Sequence, residues 1–131
     1  MKLYFDIDGV LVGQGWQPAK HVAGFLKAAT ENHDCYWLTT HCHDGDSAEV
    51  IRYLKDILPS EAFEHCYKIK PTKWSFQKTN AIDFSSDFLW FDDAPTEIEK
   101  EILSKNNKLG SLVVVDLINN PDQLSELIKL L

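Results

Sequence analysis

The stretch Leu3-Tyr4-Phe5-Asp6-Ile7-Asp8-Gly9-Val10-Leu11 constrains this chain more than any other. A short run of aliphatic and aromatic residues reads as a strand buried on both faces, the kind found inside a parallel sheet. Such a strand does not tolerate carboxylates in its interior, because burying an unpaired ion costs several kcal/mol. Asp6 and Asp8 therefore belong at the strand's C-terminal end, where it opens into a loop, and Gly9 permits the turn that follows. Ligands of open α/β sheets bind in the crevice beyond the carboxyl ends of the strands. Both aspartates thus stand where chemistry is expected.

With 131 residues, the chain is expected to form a single domain, 1–131, large enough for its own core and too short for two. A net charge of -7 argues against a broad nucleic-acid-binding face. No apolar run approaches the ~20 residues that span a bilayer, so no membrane partner is expected. The first strand starts almost at Met1, without the charged-then-apolar pattern of an export leader. Cys35, Cys42 and Cys66 lack the spacing of a disulfide framework. Together these features predict a cytoplasmic protein with free thiols.

Further along, short apolar strands alternate with amphipathic helices. Pro18 suits a first helical turn, and Val22, Phe25, Leu26 and Ala29 follow the spacing of one buried helical face. Cys35 to Thr39 reads as a second buried strand ending in two hydroxyls, Thr39 and Thr40. Asp46-x-x-Glu49 resembles a capping box before a helix that buries Val50, Ile51, Leu54, Ile57 and Leu58. Phe63 to Ile69 is expected to form a short strand, and Thr79 to Asp83 a short helix. Phe88 to Phe91 is another buried strand, ending in Asp92-Asp93. Pro95 opens a helix with Ile98, Ile102 and Leu103 inward; Leu112 to Val115 is the last strand, and Asn120-Pro121 start the last helix. Such alternation predicts a three-layer Rossmann-like α/β fold with a mainly parallel central sheet.

Two polar clusters carry weaker signals. His41-Cys42-His43 invites a zinc reading, but adjacent residues rarely converge on one ion and no second ligand pair exists. It reads instead as a loop beside the active site, and His21 as a surface histidine. Lys68, Lys70, Lys73 and Lys78 concentrate positive charge in an otherwise acidic chain. Most such runs are solvated loops.

Taken together, Asp6-x-Asp8-Gly9-Val10-Leu11 after the first strand, a strand ending in Thr39, a lysine before the next buried strand and Asp92-Asp93 after it resemble the four motifs of the haloacid dehalogenase superfamily. The likeness covers Leu3 to about Asp116. It implies a Mg2+-dependent phosphatase acting through an aspartyl-phosphate on Asp6, with Asp8 as general acid and base. Metal ligands by this resemblance are the Asp6 carboxylate, the Asp8 carbonyl and the Asp92 carboxylate, with Asp93 as support or helix cap. Thr39 would bond a phosphoryl oxygen, the lysine would neutralise its charge, and Gly9, Thr40 and Lys73 are candidates for contacting the substrate. The chemistry agrees: a carboxylate can take up a phosphoryl group and split one hard displacement into two, and Mg2+ suits an oxygen-rich donor set.

The family's lysine is commonly followed by proline, which favours Lys70-Pro71, but Lys78 directly precedes the short helix feeding the Asp92 strand. Lys78 is the choice here, with Lys70 and Lys73 as alternatives. Neither interval between motifs has room for a cap domain, so an open site is expected unless a neighbouring subunit covers it. Its phosphorylated substrate would be a metabolite, a nucleic-acid end or a phosphoprotein. The alternative is a non-catalytic phosphate- or metal-binding module, or a phospho-receiver-like one, although a receiver places its acidic pair and phosphorylated aspartate in a different order.

Overall fold

The apolar run after Met1 forms β1 (Lys2–Phe5), and its alternate side chains feed two separate apolar clusters. Leu3 and Phe5 join the larger one; Tyr4 joins a smaller one with Leu38, Phe88, Trp90 and Leu103. That two-sided burial is what an interior parallel strand requires. The computed structural model describes residues 1–131. It is an α/β fold in which β1, β2 (Asp34–Trp37), β3 (Phe88–Asp92) and β4 (Leu112–Val114) form one all-parallel sheet in the order β2-β1-β3-β4.

Parallel neighbours need crossover connections, and five α-helices take part in them or follow them: α1 (Val22–Asn32), α2 (Ala48–Lys55), α3 (Ser60–Phe63), α4 (Glu97–Lys105) and α5 (Gln123–Leu127). Phe25 of α1 packs edge-on against Phe5 and Phe91, with ring centroids 5.6 and 5.4 Å apart. Phe5 and Phe91 themselves stack at 5.4 Å. This aromatic trio fixes β1 beside β3 immediately below the ends of both strands. Trp37 and Trp90 are fully buried core residues. No helix is long and apolar enough to cross a membrane.

Several local expectations give way. Phe63 to Ile69 is not a strand: α3 runs into a 3-10 turn over Glu64–Lys68, and only Lys70 adds a single parallel bridge, to Tyr36. Its apolar residues still reach the core, with Cys66 and Ile69 buried in the larger cluster and Phe63 packed against it. The segment expected as a helix from Thr79 is a 3-10 turn, Lys78–Ala81. Pro18 lies in an antiparallel bridge with Val12, so α1 begins later, at Val22. Pro121 likewise precedes α5, which starts at Gln123. Asp46 bonds the Ala48 N–H at 2.9 Å, but Ser47 occupies the cap position of α2. Ile98, expected inward, is 55% exposed because α4 presents Glu99 and Leu103 to the interior instead.

Candidate active site

Strand order locates the crevice. From β1 the chain moves out to β2, then returns to the other side of β1 for β3 and on to β4. The direction of winding therefore reverses between β1 and β3, and such switch points are where open sheets bind ligands. Asp6 follows β1 and Asp92 closes β3 at that point. The Asp6 N–H donates to the Phe91 carbonyl at 2.9 Å, extending the ladder up to the crevice.

Both carboxylates are buried, and Lys78 joins them. Its ammonium lies 2.7 Å from Asp92 Oδ2 and 3.4 Å from Asp6 Oδ2. Burial works most strongly against the Lys78 charge, but Asp6 and Asp92 together outweigh it and its pKa is raised. Burial, reinforced by the Asp92 charge, pushes Asp6 up to about 7, against the pull of Lys78 and of the Ile7 N–H that donates to Oδ1 at 2.8 Å. Partial desolvation and then the Asp92 charge raise Asp93 as well.

Carboxylate oxygens of Asp6, Asp92 and Asp93 all lie within 4.8 Å of one another. Three acidic oxygen donors face one ammonium, so the cluster carries uncompensated negative charge whenever Asp6 is ionised. An all-oxygen acidic set of this kind fits a hard divalent cation such as Mg2+.

Asp8 stands outside this cluster, held by two side chains of its own. Tyr53 of α2 donates its hydroxyl to Oδ1 at 2.7 Å, and His41 Nε2 lies 2.9 Å from Oδ2. The His41 and Tyr53 rings stack with centroids 4.2 Å apart, while Glu49 approaches His41 Nδ1 at 3.8 Å. Burial and the Asp8 hydrogen bond push the Tyr53 phenol up to about 12, against a weaker pull from Trp16. The His41 loop was expected beside the site, but its bond to Asp8 and the part of Tyr53 were not. The available signal was Glu49 and Tyr53 at one-turn spacing on the helix after the His41 loop.

Gly9 has φ +84°, and a Cβ there would overlap the Asp93 carboxylate, with Asp93 Cβ only 2.7 Å away. The missing side chain thus lets the two acidic loops approach. Gly9→Ala should cost roughly 2–4 kcal/mol, combining backbone strain with overpacking, and should weaken divalent-ion binding by displacing Asp93. Denaturant melts and a metal titration measure the two effects; unchanged values would show that the loops do not depend on this contact.

Other expected residues are placed as follows. Thr39 is fully buried, its hydroxyl oxygen accepting the His41 N–H at 3.3 Å, and Thr40 is exposed at the turn beyond it. Lys73 is exposed and pairs through its backbone with Asp44, forming no ion pair with the carboxylates. Lys70 binds Asp34 at 2.8 Å, at the opposite end of the strands from Asp6. His41, Cys42 and His43 diverge: Cys42 Sγ points to the Thr72 carbonyl and His43 lies against Trp74. His21 is exposed and pairs with Asp122 at 2.9 Å.

Glu99 was also missed. It is almost fully buried and completes a capping box with Thr96, each side chain accepting the other residue's backbone N–H. Its second oxygen, Oε2, accepts the Lys78 N–H at 2.8 Å. Thr96-x-x-Glu99 is the sequence signature of that box.

A cleft of about 760 Å³ opens beside the carboxylates, between the Val12–Pro18 excursion and the segment after β4. Asp8, Gly9 and Asp93 are among the residues that line it. No family model matches the chain, and no curated protein or solved structure matches it.

Proposed function

We propose that this protein is a Mg2+-dependent phosphoric-monoester hydrolase of the haloacid dehalogenase type, with Asp6 as nucleophile. The observation that carries the proposal is the meeting of Asp6, Asp92 and Lys78 at the switch point of a parallel sheet, with Asp8 two residues beyond the nucleophile. Strand order and apolar clusters on both faces of β1 support reading the fold as three-layered and Rossmann-like.

In this reading an Asp6 oxygen attacks phosphorus, the bond to the ester oxygen breaks, and Asp8 delivers a proton to the departing oxygen. Water then attacks the aspartyl-phosphate, Asp8 recovers the proton, and Asp6 and inorganic phosphate separate. His41 Nε2, 2.9 Å from Asp8 Oδ2, and the Tyr53 hydroxyl hold the Asp8 carboxyl in place for these transfers. Lys78 balances charge gathering on the transferring group. Asp6, Asp92 and Asp93, with the Asp8 carbonyl by resemblance, would hold the cation. When bound, it supplies the positive charge that lets a phosphate dianion approach an anionic nucleophile.

Phosphate release from a generic aryl phosphate is the direct test. It should require Mg2+ and stop with EDTA. Asp8→Asn should lower kcat by about 10²–10⁴ while metal affinity stays near that of the parent, since the backbone carbonyl is untouched. EDTA-insensitive release would sink the proposal, and metal binding without any turnover would favour a non-catalytic binding module.

A further inference from the structure

Trp16 is costly on two counts. It is 71% exposed, and its backbone is left-handed at φ 54°, a conformation that bulky residues rarely adopt. It stands at the tip of the Val12–Pro18 excursion, which is closed by a bond from Gly13 N–H to the Gln17 carbonyl at 2.7 Å. Strained positions of this kind cluster at ligand clamps. Trp16 lines the cleft together with Asp8 and Asp93, and the end of β4 and the loop after it bring Val114 and Ile118 to the same cleft, 49% and 70% exposed.

We infer that this cleft receives the leaving group of a phosphomonoester bearing an uncharged aromatic ring, with Trp16 as its stacking platform. The inference rests on the hydrolase reading for where the phosphate sits. Continuity supports it: Asp93 belongs both to the carboxylate cluster and to the lining of the cleft that Trp16 also lines, so the substituent of an ester held at the cluster has this cleft beside it. Size supports it as well, since about 760 Å³ suits a small organic molecule. Charge narrows the class. Asp8, Asp93 and Asp116 all line the cleft, and Asp116 is kept ionised by both N–H groups of Asn119, at 3.1 and 2.7 Å. A second phosphate would meet the Asp116 carboxylate, which lies outside the residues proposed to hold the cation, and this disfavours polyphosphates and nucleic-acid strands. An uncharged ring gains contact with Trp16, Val114 and Ile118 instead.

Titration calorimetry of the full chain with Mg2+ tests this, using 1-naphthyl phosphate, glycerol phosphate and a 5′-phosphorylated oligonucleotide, with phosphate release measured on the same samples. The naphthyl ester should bind about tenfold tighter than glycerol phosphate, the scale of one good aromatic contact, and the oligonucleotide should bind weakest. Trp16→Ala should reduce the preference to about twofold or less, Ile118→Ser should reduce it in part, and Trp16→Phe should retain most of it. An undiminished preference in both Trp16→Ala and Ile118→Ser, no preference in the parent, or tightest binding of the oligonucleotide would each overturn the inference. A Trp16-dependent preference without phosphate release would uphold the cleft assignment and sink the hydrolase reading.

Discussion

Asp6→Asn should lower turnover by at least about 10⁴-fold, as loss of a nucleophile does elsewhere, and should make the metal-free protein more stable at alkaline pH. The two effects have one origin. The Asp6 carboxyl is raised from 3.8 to about 7 by burial and by Asp92. Between those values the folded chain binds more protons at this position than the unfolded chain, so stability falls as pH rises through that window. Above pH 7 the whole penalty is present, on the order of 2–4 kcal/mol, and a neutral amide escapes it. Thermal melts in EDTA at pH 5 and pH 8 should therefore show a smaller loss for Asp6→Asn than for the parent. Equal losses would exclude Asp6 as the responsible group, and residual turnover near the parental rate would exclude it as nucleophile.

Lys78→Ala should lower kcat by about 10²–10³, the scale expected for a charge aimed at a developing anion in a water-poor site. It should also destabilise the metal-free fold by about 3–5 kcal/mol, because Asp92 is left buried without its ion-pair partner. Turnover is thus best compared at saturating Mg2+ and at a temperature where the variant is folded. Lys70→Ala removes an exposed pair with Asp34 and a cation over the Tyr36 ring, both remote from the carboxylates, and should leave kcat unchanged. Lys73→Ala should alter substrate capture at low salt alone. Full activity in Lys78→Ala with collapse in either other variant would transfer the role to that lysine.

The choice among these lysines shows what kind of information the sequence holds. Lys70 had the favoured neighbour, Pro71, whereas Lys78 had only its position before the strand that ends in Asp92. Position decided the geometry: the segment before β3 starts at the crevice, where Lys78 meets Asp92, and runs back to the other end of the sheet, where Asp83 meets Lys2. Asp6 and Asp92 were legible for a simpler reason: charges inside apolar runs are confined to strand ends. Tyr53 and Glu99 were not legible as neighbours of the site. Each lies on a helix whose period shows which face is buried but not which loop lies against it. The same ambiguity accounts for Ile98, which fits the helical period of α4 yet faces solvent. Phe63 to Ile69 failed differently, since a short apolar run has no length from which to tell strand from helix.

Glu99 ties two parts of the molecule into a single cooperative unit. Its carboxylate serves the Thr96 and Lys78 N–H groups at once, and it can do so only while the first turn of α4 is wound. Fraying of a helix end is ordinarily a cheap local event with no reach beyond its own turn. Here the same fluctuation releases the backbone of the residue whose ammonium bridges Asp6 and Asp92. The capped end of one helix is thereby linked to the buried charges of the crevice, and opening of that turn would release both.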